Sequence, residues 1–189
     1  MKFPLIFGST TIALLLAFFA SRSAAQKIVV KAPSPLTCGN PSDAVPLYWS
    51  TIPSVDVFYT TVISDITSVV RGDGYDFGGI ACLVFTTQEL STVPLFHVYN
   101  GNLIDNFYTT STTERDLALE SGYTASPTAA YIYPSQICGS IPFYRIYSSI
   151  DTVHIYTINV TERDAILALG GWTDEGITGY VLDFHSTCA

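Results

Sequence analysis

Sixteen Asp and Glu against eight Lys and Arg make carboxylate chemistry the first possibility to weigh. A glycoside hydrolase needs two carboxyl groups facing each other about 5–10 Å apart, one of them with a raised pKa. Asp105, Asp151, Asp174 and Glu175 are of the right type. Each lies beside a turn or a helix end, where an acidic side chain commonly accepts backbone N–H bonds instead. Nucleophilic catalysis has less support. There is no G-x-S-x-G, and His97, His154 and His185 have no Ser or Cys in a recognisable catalytic setting. No two cysteines stand two to four residues apart, so no zinc-type ligand set is expected. Catalysis is not the expected role, and neither a cofactor nor a metal is implied.

The aromatic residues offer a different chemistry. Tyr59, Tyr108 and Tyr156 share one context, F-Y-T-T twice and I-Y-T once, and a second slot holds Trp49, His97 and Arg145. Sugars bind by stacking apolar faces on aromatic rings while polar neighbours fix orientation. Those six residues are the candidate ligand-binding set, and up to three equivalent shallow sites would act by multivalency. The competing use of the tyrosines is as core, where large aromatics are usually found. Glu114-Arg115-Asp116 and Glu162-Arg163-Asp164 would either clamp a ligand or cap a helix. Glu at the third helical position is what capping requires, and local pairing of the arginines is expected.

These residues recur because the chain repeats. Val45-Pro-Leu-Tyr, Val93-Pro-Leu-Phe and Ile141-Pro-Phe-Tyr are 48 residues apart both times. A fixed period of this size marks a repeat architecture. The repeats run 45–92, 93–140 and 141–189 without a composition shift, so one domain is expected. Each begins with an apolar-aromatic strand headed by proline, which is tolerated at a strand's first position or on an edge. A polar turn follows, such as Asn100-Gly101-Asn102, whose residue types favour positive φ. A second strand of β-branched and aromatic residues comes next. Then a short helix is predicted, with Ser111 and Asn159 three residues before Glu114 and Glu162. In the first repeat the helix over 62–70 is the weakest, being rich in β-branched residues and poorly capped. A Gly-aromatic pair returns the chain to a last strand, at 80–85, 129–133 and 177–182. The fold class is mainly β with one short helix per repeat. A linear stack would need polar ends, and the outer repeats are as apolar as the middle one. A closed pseudo-threefold arrangement is therefore expected, either a β-trefoil or another three-lobed β assembly.

The chain opens with Lys2, an apolar run from Ile12 to Ala20, and Ser23 and Ala25 at the small positions of a cleavage site. This predicts a signal peptide over 1–25, too short in its apolar part for a membrane span of about 20 residues. An extended, proline-bearing N-terminal arm covers 26–44. Removing the leader takes away two cations and no acid, so the formal net charge moves from −8 to −10. The remaining cations are scattered, which argues against nucleic acid and anionic membrane as partners. Cys38, Cys82, Cys138 and Cys188 on a secretory route imply two disulfides, with three connectivities open. Asn159-Val160-Thr161 is an N-glycosylation sequon, and its oxygen can still cap the helix that follows. The expected location is extracellular.

The pattern [V/I]-P-[L/F]-[Y/F]-x-x-Y, D-x-F-Y-T-T, E-R-D, G-Y and E-G-I-x-G-Y-V resembles a repeat family of unknown function, the DUF5648 type, found in secreted fungal proteins and appended to secreted bacterial hydrolases. The likeness covers Val45 to Leu182. The family's second strand usually reads D-H-F-Y-T. Asp56 and Asp105 keep the acid and His154 keeps the histidine, but no single repeat holds both. The resemblance carries no assigned activity; attachment to enzymes acting on cell walls implies, by analogy, carbohydrate binding. It also implies a Cys38–Cys138 bridge, leaving Cys82–Cys188. The expected function is a secreted, non-catalytic binding module for carbohydrate or cell-wall polymer. The alternatives are a structural or protein-interaction protein, whose acidic surface meets a protein partner, and a carboxylate-dependent glycoside hydrolase.

Overall fold

The computed structural model describes residues 37–184. Met1–Ser34 lies outside the described residues, and Pro35–Ala189 holds the elements that follow. The expected leader over 1–25, most of the arm, His185 and Cys188 also lie outside the described residues.

Val45–Ile52 (β1) and Asp56–Thr60 (β2) form an antiparallel hairpin, Ile63–Gly72 (α1) follows, and Asp76–Val84 (β3) returns along the other side of β1. The order recurs as Val93–Asn100 (β4), Asp105–Thr109 (β5), Thr112–Glu120 (α2), Thr124–Ala125 (β6) and Ala130–Ile132 (β7). It recurs again as Ile141–Ser148 (β8), Val153–Thr157 (β9), Val160–Ala168 (α3) and Trp172–Val181 (β10). Three antiparallel sheets result: β2-β1-β3, β10-β8-β9, and β5-β4-β6 with β7 also on β4. The fold is mainly β with three short helices. Among the described residues no closed barrel forms. The three return strands meet only through single bridges, Leu83–Leu182, Phe85–Tyr131 and Tyr133–Tyr180.

The prolines sit where a strand has one neighbour. β1 is central, yet its pairing with β2 starts at Tyr48, so Pro46 faces only Leu83 of β3 and no ladder bond is lost on the open side. The return strands start earlier than the sequence suggests, at Asp76 and Trp172, because β-bulges keep them in register with β1 and β8. In the middle segment Pro127 stands between β6 and β7; it cannot donate to a ladder, and the strand is split there.

The helix of the first segment forms despite its poor propensity. Its N-cap residue, Val62, offers no side-chain acceptor. Instead the hydroxyl of Thr60 accepts the Val62 N–H at 3.1 Å and donates to Asp65 at 3.1 Å, while Ile66 anchors the inner face. Thr109 does the same for Ser111 and Glu114, and Thr157 for Asn159 and Glu162. The hairpin turns depart from expectation too. Positive φ falls on Ile104 and Thr152 rather than on Asn100-Gly101-Asn102. Asn100 acts through its side chain, accepting the N–H groups of Asn102 and Leu103.

At the centre, β2, β5 and β9 each pack against the other two. Tyr59, Tyr108 and Tyr156 form a triangle with ring centroids 5.5–5.6 Å apart and planes nearly perpendicular. Each hydroxyl accepts the N–H and donates to the C=O of the next tyrosine, at 2.7–3.0 Å throughout. A second cluster of Phe85, Tyr133 and Leu182 closes one end. The Cys38–Cys138 disulfide fastens the N-terminal arm there, and Gly39 N–H donates to the Tyr133 hydroxyl. It closes a separation of 100 residues, worth about 4–5 kcal/mol in the chain-entropy model. The second expected bridge, Cys82–Cys188, is not made from the Cys82 side. Cys82 is a free thiol wholly buried in the core on β3, where it packs as a small apolar residue, and Cys188 is outside the described residues. Among the described residues no helix is long and apolar enough to cross a membrane.

Candidate functional site

The residues singled out by type gather at the three junctions between neighbouring segments, and each junction has a different chemistry. At the first–second junction, Asp56 accepts from the Val57 N–H, from Asn106 Nδ2 at 2.6 Å and from the Tyr75 hydroxyl. With its amide nitrogen committed to Asp56, Asn106 offers its oxygen to His97 Nε2 at 2.7 Å. The His97 ring stacks on Tyr108 with centroids 4.5 Å apart. Burial pushes Asp56 up and His97 down, so neither gains charge from this setting.

At the second–third junction the same positions carry charge. Asp105, fully buried, accepts from the Tyr123 hydroxyl at 2.5 Å and from both the N–H and Nδ1 of His154. The Asp-His pair that no single repeat contains is thus made between two neighbours. The imidazole lies between Phe107 and Tyr147, and its Nε2 is 3.4 Å from Glu175. Burial alone would lower its pKa, but Asp105 and Glu175 outweigh burial and hold it above the ordinary value. Arg145 completes the cluster. Its guanidinium forks onto both oxygens of Glu114 at 3.0 Å, donates to Glu175 at 2.8 Å, and covers Phe107 at 4.9 Å.

This cluster bears on the hydrolase reading. Arg145 holds Glu114 below the usual carboxylate range; burial opposes the same for Glu175, but His154 and Arg145 prevail. Both acids are thus shifted toward the anion, the opposite of the raised pKa that a glycosidase's proton donor needs. Asp56 is raised, yet it is buried with its oxygens taken. Among the described residues no group of acids, histidines and cysteines is placed to hold a metal ion.

The third–first junction is apolar and open. Val153 stands where Asp56 and Asp105 do, Val57 where Asn106 and His154 do, and Trp172 where the tyrosines do. Both valines are buried in the common core. The three departures are one change: loss of the acid goes with loss of both its partners. Beside them lies a cavity of about 470 Å³ walled by Trp49, Tyr59, Ile80, Ile155 and Tyr156, with Asn159 and Glu162 at its polar side. Trp49 lies flat on Gly78, where an added Cβ would come within 2.3 Å of the indole. Glu162 accepts from Thr157 at 2.5 Å, and Asn159 caps α3 by accepting from the N–H groups of Thr161 and Glu162.

The six expected ligand residues thus part company. Trp49, Tyr59 and Tyr156 meet at the cavity. Tyr108 is fully buried in the triangle, His97 is held by Asn106 and Tyr108, and Arg145 is locked in the ion cluster. Three equivalent exposed sites on tyrosine faces do not exist, because each tyrosine is at most 4% exposed and its hydroxyl is spent on backbone. Of the residues lining the cavity, Glu162 was singled out by the sequence only as a ligand clamp or helix cap, and Ile155 not at all. The signal that would have found them is their spacing from Glu114 and Phe107, which hold the arginine one junction earlier.

No curated protein and no solved structure matches the chain. The family model described as a domain of unknown function, DUF5648, matches residues 50–182, and the chain belongs to that family.

Proposed function

We propose that this protein is an extracellular, non-catalytic binding module for carbohydrate or cell-wall polymer, with one ligand pocket at the third–first junction. The observation that carries the reading is the cavity of about 470 Å³ beside the Trp49 indole. Its size falls within the roughly 300–1,000 Å³ of small-molecule sites, and a tryptophan wall with an amide and a carboxylate at the side suits a sugar ring. The Cys38–Cys138 bridge supports an oxidising compartment. We further propose that the three segments are copies of one unit closed about a pseudo-threefold axis through the tyrosine triangle. The cyclic hydrogen bonding supports it: each tyrosine grips the backbone of its neighbour, and the last grips the first.

A protein partner is the second reading, favoured by one feature. On α1 and β3, Ile63, Val70 and Phe77 are exposed around a shallow apolar depression. The test is a pull-down of the protein on insoluble chitin, β-glucan and cellulose, with a glycan array beside it. The pocket reading expects saturable retention that Trp49→Ala abolishes without loss of the folded circular dichroism spectrum. Retention unchanged in Trp49→Ala, or no binding to any glycan, would overturn it in favour of the partner.

A further inference from the structure

The second–third junction indicates what the hollow at the third–first junction is shaped to receive. Counting along the chain, Trp49 stands where Arg145 does, Glu162 where Glu114 does, and Ile155 where Phe107 does. At the second–third junction the protein fills the space with its own cation: Arg145 is clamped by Glu114 and Glu175 and lies over Phe107. At the third–first junction no side chain among the described residues plays that part. Trp49 lies back on Gly78, and Glu162 makes no ion pair among the described residues. Among the described residues the cavity lining includes the Glu162 carboxylate and neither Lys nor Arg. An aromatic face beside the Glu162 carboxylate forms a setting for a positive charge, and tryptophan is the strongest cation–π partner. The net charge of −8 adds long-range attraction of the same sign.

We infer that the pocket takes a protonated amine carried on a sugar ring: a glucosamine-type unit of a deacetylated amino-sugar polymer. This deepens the proposed carbohydrate reading and rests on it. The ring stacks its apolar face on Trp49 and Ile155, and the ammonium takes toward Glu162 the place that the Arg145 guanidinium takes toward Glu114. A neutral N-acetylated unit offers no charge to that carboxylate, so the pocket distinguishes the two forms of one polymer.

The test is calorimetric titration of the protein with fully deacetylated and fully N-acetylated oligomers of equal length, at mildly acidic pH where the amine is charged. The deacetylated oligomer is expected to bind at least about tenfold more tightly, the worth of one charge-assisted contact. Its advantage should shrink with added salt and vanish in Glu162→Gln, which keeps an acceptor for the Thr157 hydroxyl. Equal binding of both oligomers overturns the cation assignment and leaves the carbohydrate reading standing. Binding of neither overturns both. Binding of N-acetyl-argininamide with no response to either oligomer overturns the amino sugar and assigns the hollow to an arginine side chain. Preference for the deacetylated form that persists in Glu162→Gln, with that variant folded, overturns the role given to that carboxylate.

Discussion

His154 is the residue whose environment differs most from what its local sequence implies. Its acid partner lies in another segment, so a search for Asp and His side by side in one repeat misses the pair; spacing arithmetic between neighbouring repeats would have found it. The pair also sets a pH dependence. Held above its ordinary value by Asp105 and Glu175, His154 binds its proton more tightly folded than unfolded. Its contribution is complete below the unfolded value of about 6.5 and is lost as pH rises through the folded one. Glu114 and Glu175 are lowered, so their contribution is present above the ordinary glutamate value and is lost as pH falls. Urea unfolding of the protein and of His154→Gln is therefore expected to differ most at mildly acidic pH and to converge in alkali. A difference that grows with rising pH would contradict the assignment.

At the scale of elements, the strand-to-helix step was legible but its mechanism was not. Ser111 and Asn159 were readable as N-caps, and both cap. The threonine that ends the hairpin strand was not readable as a cap, since it stands two residues before the N-cap and three before the helix proper. That threonine is why α1 forms on a stretch of weak propensity. Thr109→Val should cost about 1–2 kcal/mol, the range of a lost cap, seen as a lower denaturation midpoint at unchanged slope. A cost near zero would show that Ser111 suffices. The split of the middle return strand follows from Pro127 and could have been read beforehand, because a proline at that point removes a ladder donor. Of the bulges that lengthen β3 and β10, one in each falls at glycine, Gly78-Gly79 and Gly176, and a glycine inside a strand pattern is the mark by which they could have been read.

At the scale of the molecule, the 48-residue period was the strongest signal, and it led to the right class: mainly β, with a helix after each hairpin. What the period could not show was how the tyrosines are used. Three residues alike in type and spacing suggested three equal sites on the surface; they form one buried triangle instead, which is how the segments hold one another. Tyr108→Phe removes the hydroxyl that serves both backbone groups of Tyr59. It should lower stability by roughly 2 kcal/mol or more, since two buried polar groups lose their partner. A neutral substitution would mean that the triangle is packing alone.

The central claim is that the cavity beside Trp49 is where ligand binds. The chain has two tryptophans, and Trp49 lines the cavity. A titration with soluble oligosaccharides, followed through the two indole N–H resonances by heteronuclear NMR, reads the claim directly. The account predicts that the Trp49 signal shifts saturably while the Trp172 signal stays in place. Saturable binding that leaves Trp49 unmoved would contradict it.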